Sequence, residues 1–193
     1  MIIQWERQVL NNLKLNNLLS TGCFNTERLK YRPALESDVT WVVSMILQPY
    51  VHRYWRIKPP KNVSEIQINS LIQFLKTQQQ LNRIENNHNQ YIIIVEDANG
   101  TKIGEMSLEH PKDSIFNGIY DYVTVGYWVC GEYQCKGYAT EMLSGLTKLL
   151  LKNGITQHII LEVYKDNIKS IRVIEKTNYR MLDINKDIIR FIA

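Results

Sequence analysis

Gly126-Tyr-Trp-Val-Cys-Gly-Glu-Tyr-Gln-Cys-Lys-Gly-Tyr-Ala-Thr-Glu-Met142 is the stretch whose reading decides the fold. A run rich in β-branched and aromatic residues, Tyr122–Cys130, predicts a strand. A loop with Gly131, Lys136 and Gly137 follows, and an amphipathic helix is predicted at once over about 138–152, with Met142, Leu143, Leu146, Leu149 and Leu150 inward. Asn153-Gly154 supplies its stop. Helix starts expose unpaired N–H groups and the positive end of the helix dipole, so a strand–glycine loop–helix junction suits a phosphate. Gly137 lets the backbone approach an anion, Ala139 keeps the first turn free of bulk, and Lys136 adds a charge. The spacing fits neither a GxxxxGK[ST] loop nor GxGxxG, which weakens nucleotide hydrolysis and dinucleotide binding.

Working outward, His158–Tyr164 reads as a buried strand, Asn167–Thr177 as a helix, and Tyr179–Ala193 as two short strands about a turn near Asn185. On the other side, Tyr91–Glu96 and Lys102–His110 pair through the Asn99-Gly100 turn, where both positions tolerate positive φ. Leu29–Pro33 predicts a first strand, with a helix after it to about Leu47. Gln48–Lys61, with three prolines, reads as a loop, and a second helix opens at Ser64. The order β-α-α-β-β-β-α-β-α-β-β gives an α/β fold: a mixed, largely antiparallel central sheet flanked by helices.

The chain has 193 residues, 45% of them hydrophobic and 22% charged, which suits one globular domain. Residues 1–25 stand apart as an extension, with Trp5, Val9 and Leu13 on one helical face; it packs on the domain, or serves as a partner-binding helix or the arm of a homodimer. Residues 26–193 form the domain. The net charge of +4 is interleaved with acidic residues, which argues against nucleic acid. No apolar run is long enough to span a membrane. Three cysteines without zinc-type spacing read as reduced thiols in a cytoplasmic protein. Four scattered histidines offer no metal pair, so no metal is expected.

Gln134-Cys-Lys-Gly137-Tyr-Ala139 resembles the Q/R-x-x-G-x-G/A signature of the GNAT N-acetyltransferase superfamily, and GYWV…YQCKGYATEML is similar to its RimJ/RimL-like branch, the ribosomal-protein N-terminal acetyltransferases. A second block from Leu161 to Tyr179 resembles the family's strand followed by N-x-x-S-x-x-x-x-E-K-x-G-F, through Asn167, Ser170, Glu175 and Lys176. Asn178 stands where the family has glycine. The resemblance implies a GNAT-like fold and acetyl-CoA as co-substrate. It implies that Trp128, Val129 and Cys130 run along the pantetheine, and that Gln134, Cys135, Lys136, Gly137, Tyr138, Ala139 and Thr140 cradle the diphosphate. Asn167 would cap its helix and touch the cofactor.

Transfer of an acetyl group to an amine needs a base for the amine proton and a proton for the leaving thiolate. Glu162 is the first choice for the base, although a solvent-facing salt bridge explains it equally well. Glu105 is the second. Ser170 is placed near the thiol sulfur as acid or hydrogen-bond donor, with helix capping as the plainer reading. The tyrosine that many relatives carry one turn later is Ile174 here. Glu141 and Glu175 read as structural, and Tyr127 and Tyr138 as packing. The expected acceptor is a primary amine, either a protein N-terminus or a small amine such as an aminoglycoside or polyamine. The Gln48–Lys61 and Pro111–Asp121 loops would shape that choice. They hold no acidic cluster, which leans towards a peptide or protein, while Arg53, Trp55, Arg56 and Lys58 would line the acceptor mouth, although a solvated loop explains them equally well. A non-catalytic acyl-CoA-binding module is the rival reading.

Overall fold

Apolar runs rich in β-branched residues, covered on both faces in the central strands, build a seven-stranded sheet in the order β1-β2-β3-β6-β7-β9-β8. The strands are β1 (Leu29–Pro33), β2 (Gln90–Asp97), β3 (Lys102–Glu109), β6 (Tyr122–Val129), β7 (His158–Tyr164), β8 (Arg180–Asn185) and β9 (Ile188–Ile192). Two short strands, β4 (Ile115–Phe116) and β5 (Ile119–Tyr120), pair in a separate hairpin. Among the described residues, the α-helices that accompany them include α1 (Val39–Ile46), α2 (Pro49–His52), α3 (Tyr138–Lys152) and α4 (Ile168–Ile174). The computed structural model describes residues 14–15, 17–18, 24–54, 69, 73, 90–109, 115–116 and 118–193. The helix expected from Ser64, the mouth residues Trp55, Arg56 and Lys58, and most of the N-terminal extension lie outside them.

All neighbouring strands in the sheet run antiparallel except β6 and β7, which α3 connects as a parallel crossover. That pair is short. It holds over three registers, Tyr122↔His158 to Thr124↔Ile160, and then the strands part. Beyond Thr124, β6 has β3 on one side and, among the described residues, no strand on the other.

One face of the sheet packs on α3 and α4 through Met106, Val125, Leu146, Leu161 and Ile174, and Leu15 of the extension joins this core with no exposed surface. The opposite face carries α1, with Ile92 and Ile94 against Val42, Val43 and Ile46. Asp38, only 1% exposed, ties this layer to the sheet by accepting hydrogen bonds from Arg32 at 2.6 and 3.0 Å and pairing with Lys102 at 2.7 Å. Burial alone would push its carboxyl up, but those donors and the Leu35 amide hold it down to about 2.

Two expectations are corrected locally. The Gln48–Lys61 segment begins with α2 rather than with loop, because Pro49 sits in its first turn, where a missing N–H costs nothing. The loop expected before Tyr122 contains the β4–β5 hairpin, turning at Gly118 with φ of +78°. Among the described residues, no helix is long and apolar enough to cross a membrane.

Candidate active site

The glycine loop takes its shape from two left-handed residues, Cys135 at φ +62° and Gly137 at φ +82°. The first is a non-glycine residue in that region and stores about 1–2 kcal/mol. What holds it there is a set of contacts around the loop. Gln134 Nε2 donates to the Val129 carbonyl at 3.2 Å, and Arg28 Nη1 donates to the Lys136 carbonyl at 3.1 Å. Arg28 also stacks over Tyr138, 4.4 Å from the ring centroid, and its Nε donates to Glu141 Oε2 at 2.7 Å. The same carboxylate accepts from the Arg28 amide at 2.9 Å and the Thr26 hydroxyl at 2.6 Å. Burial raises the Glu141 carboxyl, yet these donors leave it lowered overall. Glu141 is structural as expected. Arg28 was missed, because no motif or spacing around it in the sequence marks it.

With the loop so held, the amides of six consecutive residues, Cys135 to Thr140, have no hydrogen-bond acceptor among the described residues. Gly137 is the N-cap of the 15-residue α3. A row of free amides at the positive end of a long helix suits an anion. It lies just past the end of β6, the strand that lost its neighbour at Thr124.

The strand residues assigned to the cofactor are differently placed. The Trp128 side chain is buried on the α1 face, stacked on Trp41 at 5.2 Å, and its Nε1 donates to Glu105 Oε2 at 2.9 Å. The Cys130 amide donates to the Ile103 carbonyl, and the Val129 carbonyl is taken by Gln134. The Cys130 thiol is pushed up to about 11 by burial and by Glu132.

Glu105 and Glu162 occupy contrasting sites. Glu105 is opposite Trp128 in the β3–β6 register and 2% exposed. Burial raises its carboxyl to about 7, with the Trp128 N–H opposing the shift. Glu162 is exposed on β7, where its Oε1 accepts from Arg190 Nε at 2.7 Å, and Arg190 reaches Asp183 at 3.3 Å. This is the salt bridge weighed against catalysis in the sequence.

On the opposite face, Asn167 Oδ1 accepts the Ser170 amide at 3.2 Å, the cap expected of it. The Ser170 hydroxyl meets the Tyr127 hydroxyl at 2.7 Å. Burial pushes the Tyr127 phenol up to about 12, with Ser170 pulling the other way. The bond joins β6 to α4 across the gap that opens between β6 and β7. Among the described residues, no cluster of three metal-ligating side chains occurs.

Comparison with known proteins gives a consistent outcome. The family model of the acetyltransferase (GNAT) domain matches residues 28–180. No curated protein matches the chain. Similar solved structures include the aminoglycoside acetyltransferase AAC(6')-Ib with coenzyme A, at 15% identity over 86% of this chain and 94% of that one, with a TM-score of 0.66. Spermidine N-acetyltransferase from Vibrio cholerae with CoA and spermine is 18% identical over 87% and 96%, with a TM-score of 0.68. RimL, a ribosomal L7/L12 alpha-N-protein acetyltransferase in complex with coenzyme A, is 14% identical over 87% and 94%, also at 0.68. At these identities the likeness is one of fold.

Proposed function

The chain belongs to the GNAT acetyltransferase family, and from that premise we propose that it moves an acetyl group from acetyl-CoA directly to a primary amine. The observation that carries this reading is the row of unpaired amides from Cys135 to Thr140, set beside the gap between β6 and β7. A diphosphate fits that row, with Lys136 adding charge and the hydrogen-only Gly137 leaving room for close approach. The pantetheine would lie along the strand edge exposed where β6 and β7 part. Acetyl-CoA supplies the activated acyl group, and the chain supplies placement and proton handling.

Of the two carboxylates, Glu105 is the better base. Its proton affinity near neutrality lets it accept a proton at working pH, whereas the Glu162 carboxylate is occupied by Arg190. Being buried, Glu105 would take the amine proton through an intervening water. On the other face, Ser170 would give a proton to the departing thiolate, and its hydrogen bond to the Tyr127 hydroxyl supports that role.

The RimJ/RimL-like string of the glycine loop supports a protein N-terminus as acceptor. A small polycationic amine is the second reading, favoured by Asp166 at the end of β7, an acidic group outside the two loops weighed in the sequence. Isothermal titration of the full chain with acetyl-CoA, CoA and ATP tests the core proposal. Binding of the first two but not the third is expected, and silence from all three would return the acyl-binding reading to a likeness of fold.

A further inference from the structure

The short helix α2 and the two residues after it run from the end of β6 to the end of β7. At one end the Tyr50 hydroxyl accepts the Gly131 amide at 2.9 Å. At the other, Arg53 Nη2 donates to Asp166 Oδ2 at 3.0 Å and the Tyr54 hydroxyl donates to the Asp166 carbonyl at 3.2 Å. The Tyr54 ring lies 6.1 Å from the ring of Tyr164, on the last residue of β7. Residues 50–54 therefore span the mouth of the gap between the two strands, on the sheet face that carries Glu105.

At the β7 end, a carboxylate and an aromatic face already hold a cation. The Arg53 guanidinium lies 5.2 Å from the Tyr54 ring centroid and pairs with Asp166. Ring and carboxylate together are what a substrate ammonium requires. The pair is loosely kept, with the Arg53 and Asp166 side chains 65% and 60% exposed. Exchange of one cation for another costs little in such a solvated pair. We propose that Arg53 occupies, in the free enzyme, the subsite that receives a second positive charge of the acceptor, with Asp166 and the Tyr54 ring as its walls. Arg53 is then an internal stand-in that the substrate displaces as it enters. The proposal rests on the acetyl-transfer reading and takes up its second acceptor, an amine bearing another cationic group, as a small polyamine does.

Two partners of one ion pair give opposite signals under this scheme. A permanent latch would weaken in the same sense whichever partner is lost, whereas a subsite and its stand-in respond in opposite senses. The measurement is the ratio of kcat/KM for 1,4-diaminobutane over that for butylamine, which differ in the second ammonium. Relative to the native chain, D166N is expected to lower the ratio about fivefold and R53Q to raise it by a similar factor. Direct titration of 1,4-diaminobutane into each full chain should move the same way, weaker in D166N and tighter in R53Q. Changes of the same sign in both variants, or none in either, overturn the subsite. If acetyl-CoA fails to bind while the diamine still discriminates between the variants, the acetyl-transfer reading falls and the subsite stands.

Discussion

The proposed cofactor end and the proposed acceptor end of this molecule are built by different means. Around Gly137 the working groups are backbone amides of consecutive residues, and their side chains matter mainly for staying small. Around Glu105 and Asp166 the working groups are side chains from β3, β6, α2 and the turn after β7, brought together only by the sheet. A site made of contiguous backbone tolerates drift in most of its side chains, while a site made of dispersed side chains can be retuned one residue at a time. On the proposed function, the first sets what is bound and the second what is done with it.

The contrast can be broken most sharply at Gly137. Glutamate there would add a negative charge to the anion site and force a side chain into φ +82°, with its Cβ 3.4 Å from the Arg28 guanidinium. The expected result is a loss of acetyl-CoA affinity of at least about 100-fold, read by titration, with the far-ultraviolet circular dichroism of the fold retained. Unchanged affinity would separate the loop from the cofactor altogether.

Next in size is Glu105→Gln, which tests whether the acceptor end depends on one buried side chain. The rate should fall about 100-fold, and the ascending limb of the pH–rate profile near pH 7 should disappear. Stability should change in the other direction. The folded carboxyl is raised from 4.5 to about 7, so the unfolded chain loses its proton first as pH climbs through that window. The native protein therefore loses stability between about pH 4.5 and 7, and the loss is complete above it. Glutamine escapes that loss, and denaturation at pH 8 should show a gain on the order of 2–3 kcal/mol. A variant that is slower and also less stable at pH 8 would contradict the assigned protonation.

The smallest effect is expected at Glu162. Its pairing with Arg190 is exposed, so Glu162→Gln should change kcat/KM by less than about fivefold across the pH range. A loss as large as that of Glu105→Gln would move the base to β7 and erase the distinction between the two carboxylates.

The same division decides what could be read from the chain alone. The strand–loop–helix junction was legible because its signals are local: two glycines, a helical stripe and a small residue in the first turn. The β2–β3 hairpin was legible for the same reason, through Asn99-Gly100 and an Asp97 carboxylate that accepts the amides of residues 99 and 101. Arg28 was not, since 113 residues separate it from Glu141 and nothing in its neighbourhood marks it. The balance between Glu162 and Glu105 was equally hidden. It turns on Arg190 arriving from β9 and Trp128 from β6, which are facts of strand order. Gly145 is another such case: a Cβ there would stand 2.5 Å from the Tyr31 hydroxyl, a constraint visible only once β1 lies under α3.

The clamp at the start of the domain has a thermodynamic corollary. Because the Arg28 amide is bonded to the carboxylate that steadies the glycine loop, filling the loop and ordering residues 26–28 must favour one another by the same free energy. Hydrogen exchange at that single amide should slow when the cofactor is present, and a protease that trims the chain as far as Thr26 should work less readily on the loaded protein. On the proposed function, residues 26–28 are thus a gauge of what is bound at the start of α3.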